Sequence, residues 1–392
     1  SRYLGSKQGR LGKLEEVTDE MLEAGILTDE PSEGEDPDKP VLRVTPLGRT
    51  ACRHMLLPST VLLFRNFLNK IPNPSPFDLC LVACCSEDCQ PIIPADFEEL
   101  AELERACTDL PSEILKLENF EIERLLKVSG KRLLGSIKMA MIALSQTHGD
   151  CSDKVAERFG CYPFEVSRLA ESLDRLFLAL TWLVKRRKGS EDTQTKKVQL
   201  LGKMVTHGLN PGKATLTLVD GIGCKWAEKL SEHAIKDIQI LAKTRLPDLM
   251  NLKGLSKKRA QAWKKSAQAI AKKGIGWTRA LTIRIDFQIN RKIEKGVDPY
   301  RLQRSRELVV RPVGKRYLVS GGLEPHKVTF NDSIQSCDCR DFAKGNRCKH
   351  LLAVESFIQA TNVNESSGSE PNCRFQELWT GPAHEQTKQL LA

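Results

Sequence analysis

Apolar residues recur at helical spacing through most of the first 275 residues of the chain. Positions i, i+3 and i+4 lie on one face of an α-helix, so this spacing predicts helices with one buried side. The clearest predicted helices cover 98–106, 119–127, 137–145, 151–159 and 164–185. The last of them carries a stripe of six apolar residues that we interpret as core: Val166, Leu169, Leu173, Leu176, Leu180 and Leu183. The chain is therefore predicted to be mainly α and multidomain.

The first 58 residues predict the closing part of a winged helix. Apolar residues at helical spacing over 11–24 predict a helix, and the acidic, Pro- and Gly-containing stretch 30–40 predicts a loop. A short alternating segment at 41–45 predicts a strand. Thr45 and Pro46 then suit the N-cap and the first position of another helix. The order helix, loop, strand, helix is typical of the back half of a winged helix.

Residues 216–230, LTLVDGIGCKWAEKL, predict two helices joined by a tight glycine turn. Glycine lets the backbone approach a ligand closely, and we expect a positive φ at Gly223. The N–H groups that open the second helix have no partner within it, so they suit a phosphate oxygen. Such a helix-hairpin-helix holds a nucleic-acid backbone without reading bases, whereas the alternative is an ordinary αα-hairpin. The predicted DNA contacts are Gly221, Ile222, Gly223, Lys225 and Lys229.

A second, weaker copy covers 249–262, LMNLKGLSKKRAQA, with Ser256 where a second glycine would stand. Its predicted DNA contacts are Lys253, Gly254, Lys257, Lys258 and Arg259. The local charge supports both copies. Residues 185–320 contain 32 Lys and Arg against 11 Asp and Glu, a net charge of +21, while the whole chain has a net charge of +10. Positive charge concentrated in one segment is expected of a phosphate-binding protein.

The composition of the chain indicates its cellular compartment and the kinds of partner it can have. A hydrophobic content of 40% and a charged content of 28% predict a soluble globular protein. No apolar run reaches transmembrane length and no signal peptide is recognisable, so we expect no membrane partner. Thirteen cysteines without a secretory signal favour reduced thiols in an intracellular protein, cytoplasmic in a prokaryote or nuclear. The chain begins with Ser1, so we expect it to be a piece of a longer protein.

A zinc site is predicted after the alternating segments 316–320 and 326–330, which read as a β-hairpin. The sequence CDCRDFAKGNRCKH follows, with CxC, eight residues and then CxH. Three thiolates and one imidazole complete a tetrahedron and leave no position for water, so one structural Zn²⁺ is expected. The predicted ligands are Cys337, Cys339, Cys348 and His350.

Four more cysteines form a C-x3-C-C-x3-C group: Cys80, Cys84, Cys85 and Cys89. A metal or an iron–sulfur cluster is one interpretation of this group. The surrounding segment FDLCLVACC is apolar and has no histidine nearby. This setting favours a buried helix that uses cysteine as a small hydrophobic residue.

The stretch from the predicted hairpin through CxC and CxH resembles a SWIM zinc finger, which implies a small module that binds DNA or protein. Five other segments resemble, in the family's order, the C-terminal half of a superfamily 2 superkiller-like DNA helicase. The family member that they resemble is the archaeal fork-repair type, related to the polymerase-theta helicase. The segments are VTPLGR at 44–49, PSPFDL at 74–79, AERFGCYPFEVSRLAESLDRL at 156–176, KMVTHG at 203–208 and LVDGIGCKWAEKL at 218–230.

The helicase resemblance implies the order winged helix, helical ratchet bundle and helix-hairpin-helix, with the finger as an addition. It implies a DNA-binding, strand-guiding region of an ATP-dependent DNA helicase that acts in replication-fork repair or recombination. The implied partners are single-stranded or forked DNA and a motor domain or repair protein. Carried over to this chain, the ratchet helix is 164–185 and Arg168 meets the strand. Arg175 stands where the family usually has a tryptophan that stacks on a base, and a guanidinium can stack by its planar face.

No Walker A loop and no DEAH-like box occurs in the sequence, so ATP is expected to act only through a motor domain absent from it. Two other functions compete. A scaffold without a motor would bind proteins or nucleic acid through its finger and winged helix. A helix-hairpin-helix DNA glycosylase with lyase activity would use Lys225 as nucleophile, but Asp248 lies outside the expected context of its aspartate.

The predicted boundaries follow from these segments. They are a partial winged helix at 1–58, a ratchet bundle at 59–188, a linker and helix-hairpin-helix domain at 189–275, a basic connector at 276–315, a SWIM finger at 316–360 and a polar tail at 361–392.

Overall fold

The computed structural model describes residues 7–30, 41–189, 192–289, 298–321, 324–331, 334–366 and 374–380. Within these ranges the fold is mainly α, with one two-stranded and one four-stranded antiparallel sheet. The predicted fold class, mainly α and multidomain, is therefore confirmed. Among the helices described, none has the length and apolar character needed to cross a membrane.

The first module follows the predicted order and adds one strand. It consists of α1 (Lys7–Glu23), β1 (Leu27–Thr28), β2 (Arg43–Val44) and α2 (Pro46–Arg53), and β1 pairs antiparallel with β2. Thr45 caps α2, because its side chain accepts a hydrogen bond from the N–H of Gly48, and Pro46 opens the helix as predicted. Strand β1 was not predicted. Most of the predicted acidic loop, residues 31–40, lies outside the described residues.

Eight helices between residues 58 and 207 form the bundle. They are α3 (Pro58–Lys70), α4 (Pro76–Cys85), α5 (Leu100–Thr108), α6 (Asn119–Leu126), α7 (Gly130–Ser145), α8 (Ser152–Phe159), α9 (Pro163–Lys188) and α10 (Thr193–His207). Two short 3-10 helices, Phe97–Glu99 and Gln146–His148, lie among them. All six residues of the predicted stripe on α9 are buried, so that interpretation as core is confirmed.

The cysteine group at 80–89 belongs to this core. All four thiols are buried, and burial raises the pKa of Cys85 to about 12. A metal ligand must be a thiolate, which this apolar surrounding disfavours. Among the described residues, the group of side chains that could hold a metal ion lies elsewhere in the chain. The structure therefore favours cysteine as a small hydrophobic residue at these positions.

The helix-hairpin-helix domain has five helices and its own core. The helices are α11 (Pro211–Leu216), α12 (Cys224–Glu232), α13 (Ile238–Lys243), α14 (Leu246–Met250) and α15 (Lys257–Lys273). Buried residues from all five form one cluster that includes Ile222, Leu230 and Trp263. Because this cluster is distinct from the core of the bundle, the domain can keep its shape by its own contacts.

Residues 282–289, which we call the strap, return from the helix-hairpin-helix domain to the bundle after a 3-10 helix at Gly276–Leu281. The strap is extended, and its alternate residues Ile283, Ile285 and Phe287 are buried in the bundle core. Phe287 stacks on Phe159 with ring centroids 4.8 Å apart. The sequence predicted a basic connector over this stretch. That description is wrong here, because three alternate residues of the strap are apolar and buried.

One helix and one strand precede the predicted finger, 316–360, and pack with it into one finger region. Its helices are α16 (Pro299–Arg306), α17 (Arg340–Ala343) and α18 (Lys349–Ser366). Its sheet has the order β3 (Val309–Val313), β4 (Arg316–Ser320), β5 (His326–Phe330) and β6 (Gln335–Cys337). The predicted hairpin corresponds to β4 and β5, whose register pairs Tyr317 with Val328. The outer strands β3 and β6 were missed.

The last described element, α19 (Arg374–Thr380), corrects the predicted polar tail. Phe375 and Leu378 are buried in the core of the bundle, and Trp379 meets Phe97 edge-on with centroids 5.9 Å apart. The Arg374 guanidinium donates to the carbonyl oxygens of Leu115 and Leu117. The chain therefore returns to the bundle after the finger.

Candidate nucleic-acid interface and zinc site

The two glycines of the first hairpin turn differ in backbone conformation. Gly221 has a φ of +82°, in the region that favours glycine, whereas Gly223 has a φ of −86°. The expected positive φ at Gly223 is therefore wrong, and it belongs to Gly221. Ile222 points into the domain core and is 4% exposed, so it anchors the turn. Gly223 is the N-cap of α12 and has no side-chain cap, which leaves the helix amino terminus accessible to an anion.

The second turn repeats this geometry with one difference. Gly254 has a φ of +89°, and Leu255 is buried as the counterpart of Ile222. Here Ser256 caps the following helix, α15, by accepting a hydrogen bond from the N–H of Arg259 at 3.4 Å. A bound phosphate would have to share these N–H groups with the serine hydroxyl, so the first turn is the better anion site.

Side chains from each hairpin contact the turn of the other. The Arg259 guanidinium donates to the carbonyl oxygen of Gly221 at 3.4 Å, and the Lys229 ammonium donates to the carbonyl oxygen of Lys253. Trp226 lies between them, with the Lys229 ammonium 4.8 Å and the Arg259 guanidinium 5.4 Å from its ring centroid. These contacts bring the two turns together on one surface.

The predicted cationic residues fall into two groups, those that contact the neighbouring turn and those that are only exposed. Lys229 and Arg259 hold the turns together as well as supplying charge. The remaining predicted lysines are exposed: Lys225, Lys253, Lys257 and Lys258. Trp226, which was not among the predicted contacts, meets Trp263 edge-on at 5.1 Å between ring centroids. The signal was present, since Trp226 follows the first turn by three residues.

The two predicted contacts on α9 differ in their surroundings. Arg168 is exposed on the helix. Arg175 donates to the carbonyl oxygen of Met55 at 2.7 Å and to that of Asp88 at 3.0 Å, and its guanidinium lies 3.7 Å from the Asp88 carboxylate. Arg175 therefore joins α9 to the end of the first module, and its donors are engaged within the protein.

The four predicted zinc ligands come together at the end of the finger sheet. Cys337 ends β6, Cys339 caps α17, and Cys348 and His350 stand at the start of α18. All four are buried, and their ligand atoms lie within 4.8 Å of one another. Cys337 Sγ is 3.7 Å from His350 Nδ1. Zn–S bonds of about 2.3 Å and Zn–N bonds of about 2.0 Å in a tetrahedron require a similar separation, so the donors fit Zn²⁺.

The electrostatics of the cluster also suit a cation. Hydrogen bonding by the Cys337 thiol lowers the pKa of Cys348 to about 4, and the same contact raises the pKa of Cys337. The cluster therefore favours a thiolate at Cys348, and a thiolate is the form of cysteine that binds zinc. A neighbouring pair tightens the surrounding fold, because Arg301 on α16 binds both carboxylate oxygens of Asp341 at 2.8 and 2.9 Å.

The two residues of the lyase alternative, Lys225 and Asp248, have surroundings that do not activate a nucleophile. Lys225 is exposed on the first turn of α12. Asp248 pairs at 3.1 Å with Arg245, the N-cap residue of its helix. A Schiff-base lysine is normally activated by desolvation or by an adjacent base, and neither surrounds Lys225 in the described residues.

Comparison with known proteins agrees with this geometry. Residues 214–281 match the family model of the SAM-like helix-hairpin-helix tandem, and residues 317–359 match that of the SWIM zinc finger. The ATP-dependent DNA helicase Hel308 of Pyrococcus horikoshii is 23% identical over 222 residues, 56% of this chain and 30% of the relative. Hel308 of Pyrococcus abyssi is 23% identical over 225 residues, 57% of this chain and 30% of the relative.

This chain resembles the C-terminal region of a Hel308 helicase and carries a SWIM zinc finger. The predicted resemblance to a superfamily 2 helicase with an added finger is thereby confirmed. The chain spans about 30% of the length of the Hel308 relatives it matches. The zinc-binding cluster lies within the residues matched to the SWIM model, and both hairpin turns lie within the helix-hairpin-helix match.

Proposed function

We propose that this chain is the DNA-binding, strand-guiding region of an ATP-dependent DNA helicase that acts in replication-fork repair or recombination. The name of the Hel308 relatives supports the activity, and the helix-hairpin-helix match supports the mode of binding. The proposed substrate is single-stranded or forked DNA. In this proposal ATP is used by a motor domain outside the sequence, and a repair protein or that motor domain is the partner.

The observation that carries the proposal is the joining of the two hairpin turns. Each turn has a positive-φ glycine, a buried anchor and a following helix whose N-cap residue is exposed. Two anion sites on one surface suit successive phosphates of one strand. Exposed lysines beside both turns add long-range attraction. Contacts to phosphates carry no base information, so binding should depend little on sequence.

The first experiment measures the affinity of the chain for single-stranded DNA as a function of salt. Each lost phosphate contact should reduce the log–log slope by roughly 0.7 on a single strand. We expect Lys257→Ala with Lys258→Ala to weaken all sequences alike and to flatten the slope. Lys272→Ala with Lys273→Ala, which removes the same charge at the other end of α15, should have a smaller effect.

Gly223→Val tests the close approach of the backbone to the phosphate. No atom of the protein lies within 4 Å of a Cβ at this position, so the valine should fit the fold and obstruct only the ligand. We expect weaker DNA binding with an unchanged circular dichroism spectrum. If both the glycine and the lysine variants bind DNA like the parent, while loss of the finger abolishes binding, the finger is the DNA site and the hairpin turns are ordinary core turns.

Two further measurements test whether the chain is a scaffold and whether it hydrolyses ATP. A motor-less scaffold would bind its partners without a steep dependence on salt, which the same titration reveals. We also expect no DNA-stimulated ATPase from this chain. Turnover that survives Lys213→Ala in a pure preparation would contradict that expectation and point to a nucleotide site of another kind.

For the finger, we propose that Zn²⁺ has a structural role. Four protein donors fill a tetrahedral shell, so no position remains for a reacting water. The residues that would hold the ion are the four predicted ligands, and the ion would hold the end of the sheet against α18. Small modules of this type depend on their metal for folding.

A further inference from the structure

The four-stranded sheet of the finger has one covered face and one open face. Helix α18 packs across all four strands, and its Leu351 and Val354 share the finger core with Val319 and Val328. Side chains alternate between the two faces along a strand, and residues paired across an antiparallel sheet lie on the same face. Leu318 precedes Val319 on β4, so it lies on the face opposite α18, which we call the outer face.

Apolar and cationic side chains lie next to one another on the outer face. In the register, Leu318 stands between Arg311 of β3 and Lys327 of β5, and Val313 is paired with Arg316. The six side chains that matter here are three apolar and three cationic ones: Val309, Val313, Leu318, Arg311, Arg316 and Lys327. The two valines are 53% and 60% exposed. Exposed apolar side chains that lie together among polar ones are typical of an interaction surface.

The outer face has a net positive charge. The sequences of the four strands contain no Asp and no Glu. Asp338 follows β6, but its carboxylate already accepts a hydrogen bond from the N–H of Lys327 and lies 2.9 Å from His326 Nδ1. Three cations on strands that carry no acidic residue attract carboxylates or phosphates of a partner.

The uncharged side chains of the outer face favour a protein over a nucleic acid. Unpaired bases stack on aromatic rings, but Tyr317 and Phe330, the aromatic residues of the four strands, lie on the covered face with Val328. Contacts to phosphates would leave Val309 and Val313 uncovered. A protein segment that carries aliphatic side chains between its carboxylates matches both the charge and the apolar residues of this face.

We propose that the outer face of the finger sheet docks an acidic segment of a partner protein, in which aliphatic side chains alternate with Asp or Glu. The carboxylates pair with Arg311, Arg316 and Lys327, and the aliphatic side chains cover the exposed valines. Pro312 in the edge strand β3 has no N–H to donate, so the segment lies across the face and does not extend the sheet. The inference rests on the proposed function only for the presence of a protein partner, because it needs neither hairpin turn.

The test titrates the zinc-loaded chain into three fluorescent peptides of equal length, made of Glu-Val, Glu-Ser or Lys-Val repeats. Fluorescence anisotropy gives the three dissociation constants. We expect the Glu-Val peptide to bind about tenfold more tightly than the Glu-Ser peptide, because it covers apolar surface in addition to pairing charges. The Lys-Val peptide should not bind, because its charge has the same sign as that of the face. Equal binding of the Glu-Val and Lys-Val peptides would contradict the proposal.

Charge variants locate the bound peptide on the finger. Arg311→Gln with Lys327→Gln should weaken both acidic peptides by roughly fivefold, which corresponds to the loss of two exposed ion pairs. Arg304→Gln with Lys344→Gln is the matched control. It also removes one exposed arginine and one exposed lysine, but from α16 and from the residue that follows α17. If the two double variants bind the peptides equally well, the peptides bind elsewhere and the proposal is wrong.

Val309→Thr with Val313→Thr tests the apolar contacts. Threonine keeps the β-branched shape that suits a strand but replaces one methyl group by a hydroxyl. We expect this variant to lose most of the preference for the Glu-Val peptide and to bind the Glu-Ser peptide like the parent. An unchanged preference would show that the valines do not meet the partner.

An oligothymidylate separates this inference from the proposed function. If Arg311→Gln with Lys327→Gln weakens binding of the oligothymidylate more than the control pair does, and the strand displaces the Glu-Val peptide, the outer face is a nucleic-acid site and the proposal is wrong. If the chain binds the oligothymidylate but no peptide, this inference fails and the proposed DNA binding stands. If it binds the Glu-Val peptide but no DNA, the proposed DNA binding fails and this inference stands. Zinc content and thermal unfolding confirm that each variant is folded.

Discussion

At the scale of single residues, the two glycines of the first hairpin turn have separable roles. Alanine at Gly221 would have to adopt a left-handed conformation, at a cost of about 1–2 kcal/mol, and its Cβ would lie 3.4 Å from Trp263 Nε1. Alanine at Gly223 would adopt an ordinary φ in open space. We expect Gly221→Ala to lower the free energy of unfolding by about 1–2 kcal/mol. Gly223→Ala should lower stability less, only by what alanine loses against glycine as an N-cap, and should weaken DNA binding.

Denaturant unfolding and DNA titration on the same two variants check this separation. Equal loss of stability in both would show that φ does not govern the turn. Unchanged affinity in Gly223→Ala would show that the backbone of the first turn does not meet the strand.

The zinc ligands give a second prediction for single residues. We expect the purified parent chain to contain about one equivalent of zinc and Cys348→Ser to contain almost none, because a serine hydroxyl is a poor ligand for this ion. Cys52→Ser is the control, since Cys52 is an exposed thiol outside the cluster. Metal analysis of both proteins decides the assignment. Full zinc content in a Cys337→Ser, Cys348→Ser double variant would reject it.

At the scale of secondary-structure elements, the bundle contains a buried ion pair between α7 and the 3-10 helix before α5. Lys138 Nζ lies 2.6 Å from the Glu99 carboxylate, and each side chain is 2% exposed. Removing one partner of such a pair usually costs about 3–5 kcal/mol, because the other charge stays buried and unpaired. We expect this loss from Lys138→Met. The double variant Glu99→Gln, Lys138→Met should recover much of it.

The pH dependence follows from the raised pKa of Glu99, which burial causes and Lys138 only partly opposes. A carboxyl whose pKa is raised by folding stabilises the fold fully below its ordinary value of 4.5. That contribution is lost as the pH rises through the raised pKa. Without Lys138 the pKa of Glu99 rises further, so Lys138→Met should be less destabilising at pH 4 than at pH 7. Equal cost at both values would contradict this account.

Helical periodicity in the sequence located most of the bundle, because long amphipathic helices such as α9 repeat their pattern many times. The strap, β3 and α19 were missed for physical reasons. Each is eight residues or shorter, and each is surrounded by charged or polar sequence that reads as a connector or tail. Their burial depends on partners far away in the chain, as when Arg374 binds the carbonyl oxygens that precede α6. Local sequence carries no record of such contacts.

The candidate sites also divide into features set by local sequence and features set by contacts between distant residues. The zinc ligands and hairpin turns were predictable, since their chemistry requires fixed residue types at fixed local spacing. The role of Arg175 was not, because it depends on Met55 and Asp88 about 120 and 87 residues away.

At the scale of the whole molecule, the finger has its own core, so its folding can be separated from that of the bundle. Val319, Val328, Cys348 and Val354 belong to this core and do not enter the core of the bundle. We expect removal of zinc by a chelator to unfold β3 to α18 and to leave the bundle, strap and α19 folded. Hydrogen exchange with and without chelator measures this. Loss of protection in the strap or α19 would show that the two parts unfold together.

The finger is attached to the bundle on both sides. Before it, Arg306 on α16 pairs with the buried Glu165 of α9, and after it α19 packs into the bundle core. A domain joined to its neighbour by one linker can rotate freely, and any force applied to it acts through that linker alone. A domain attached at two places resists rotation, and the two attachments share any force applied to it. A force applied to a ligand of the finger would therefore be transmitted to the bundle that contains α9.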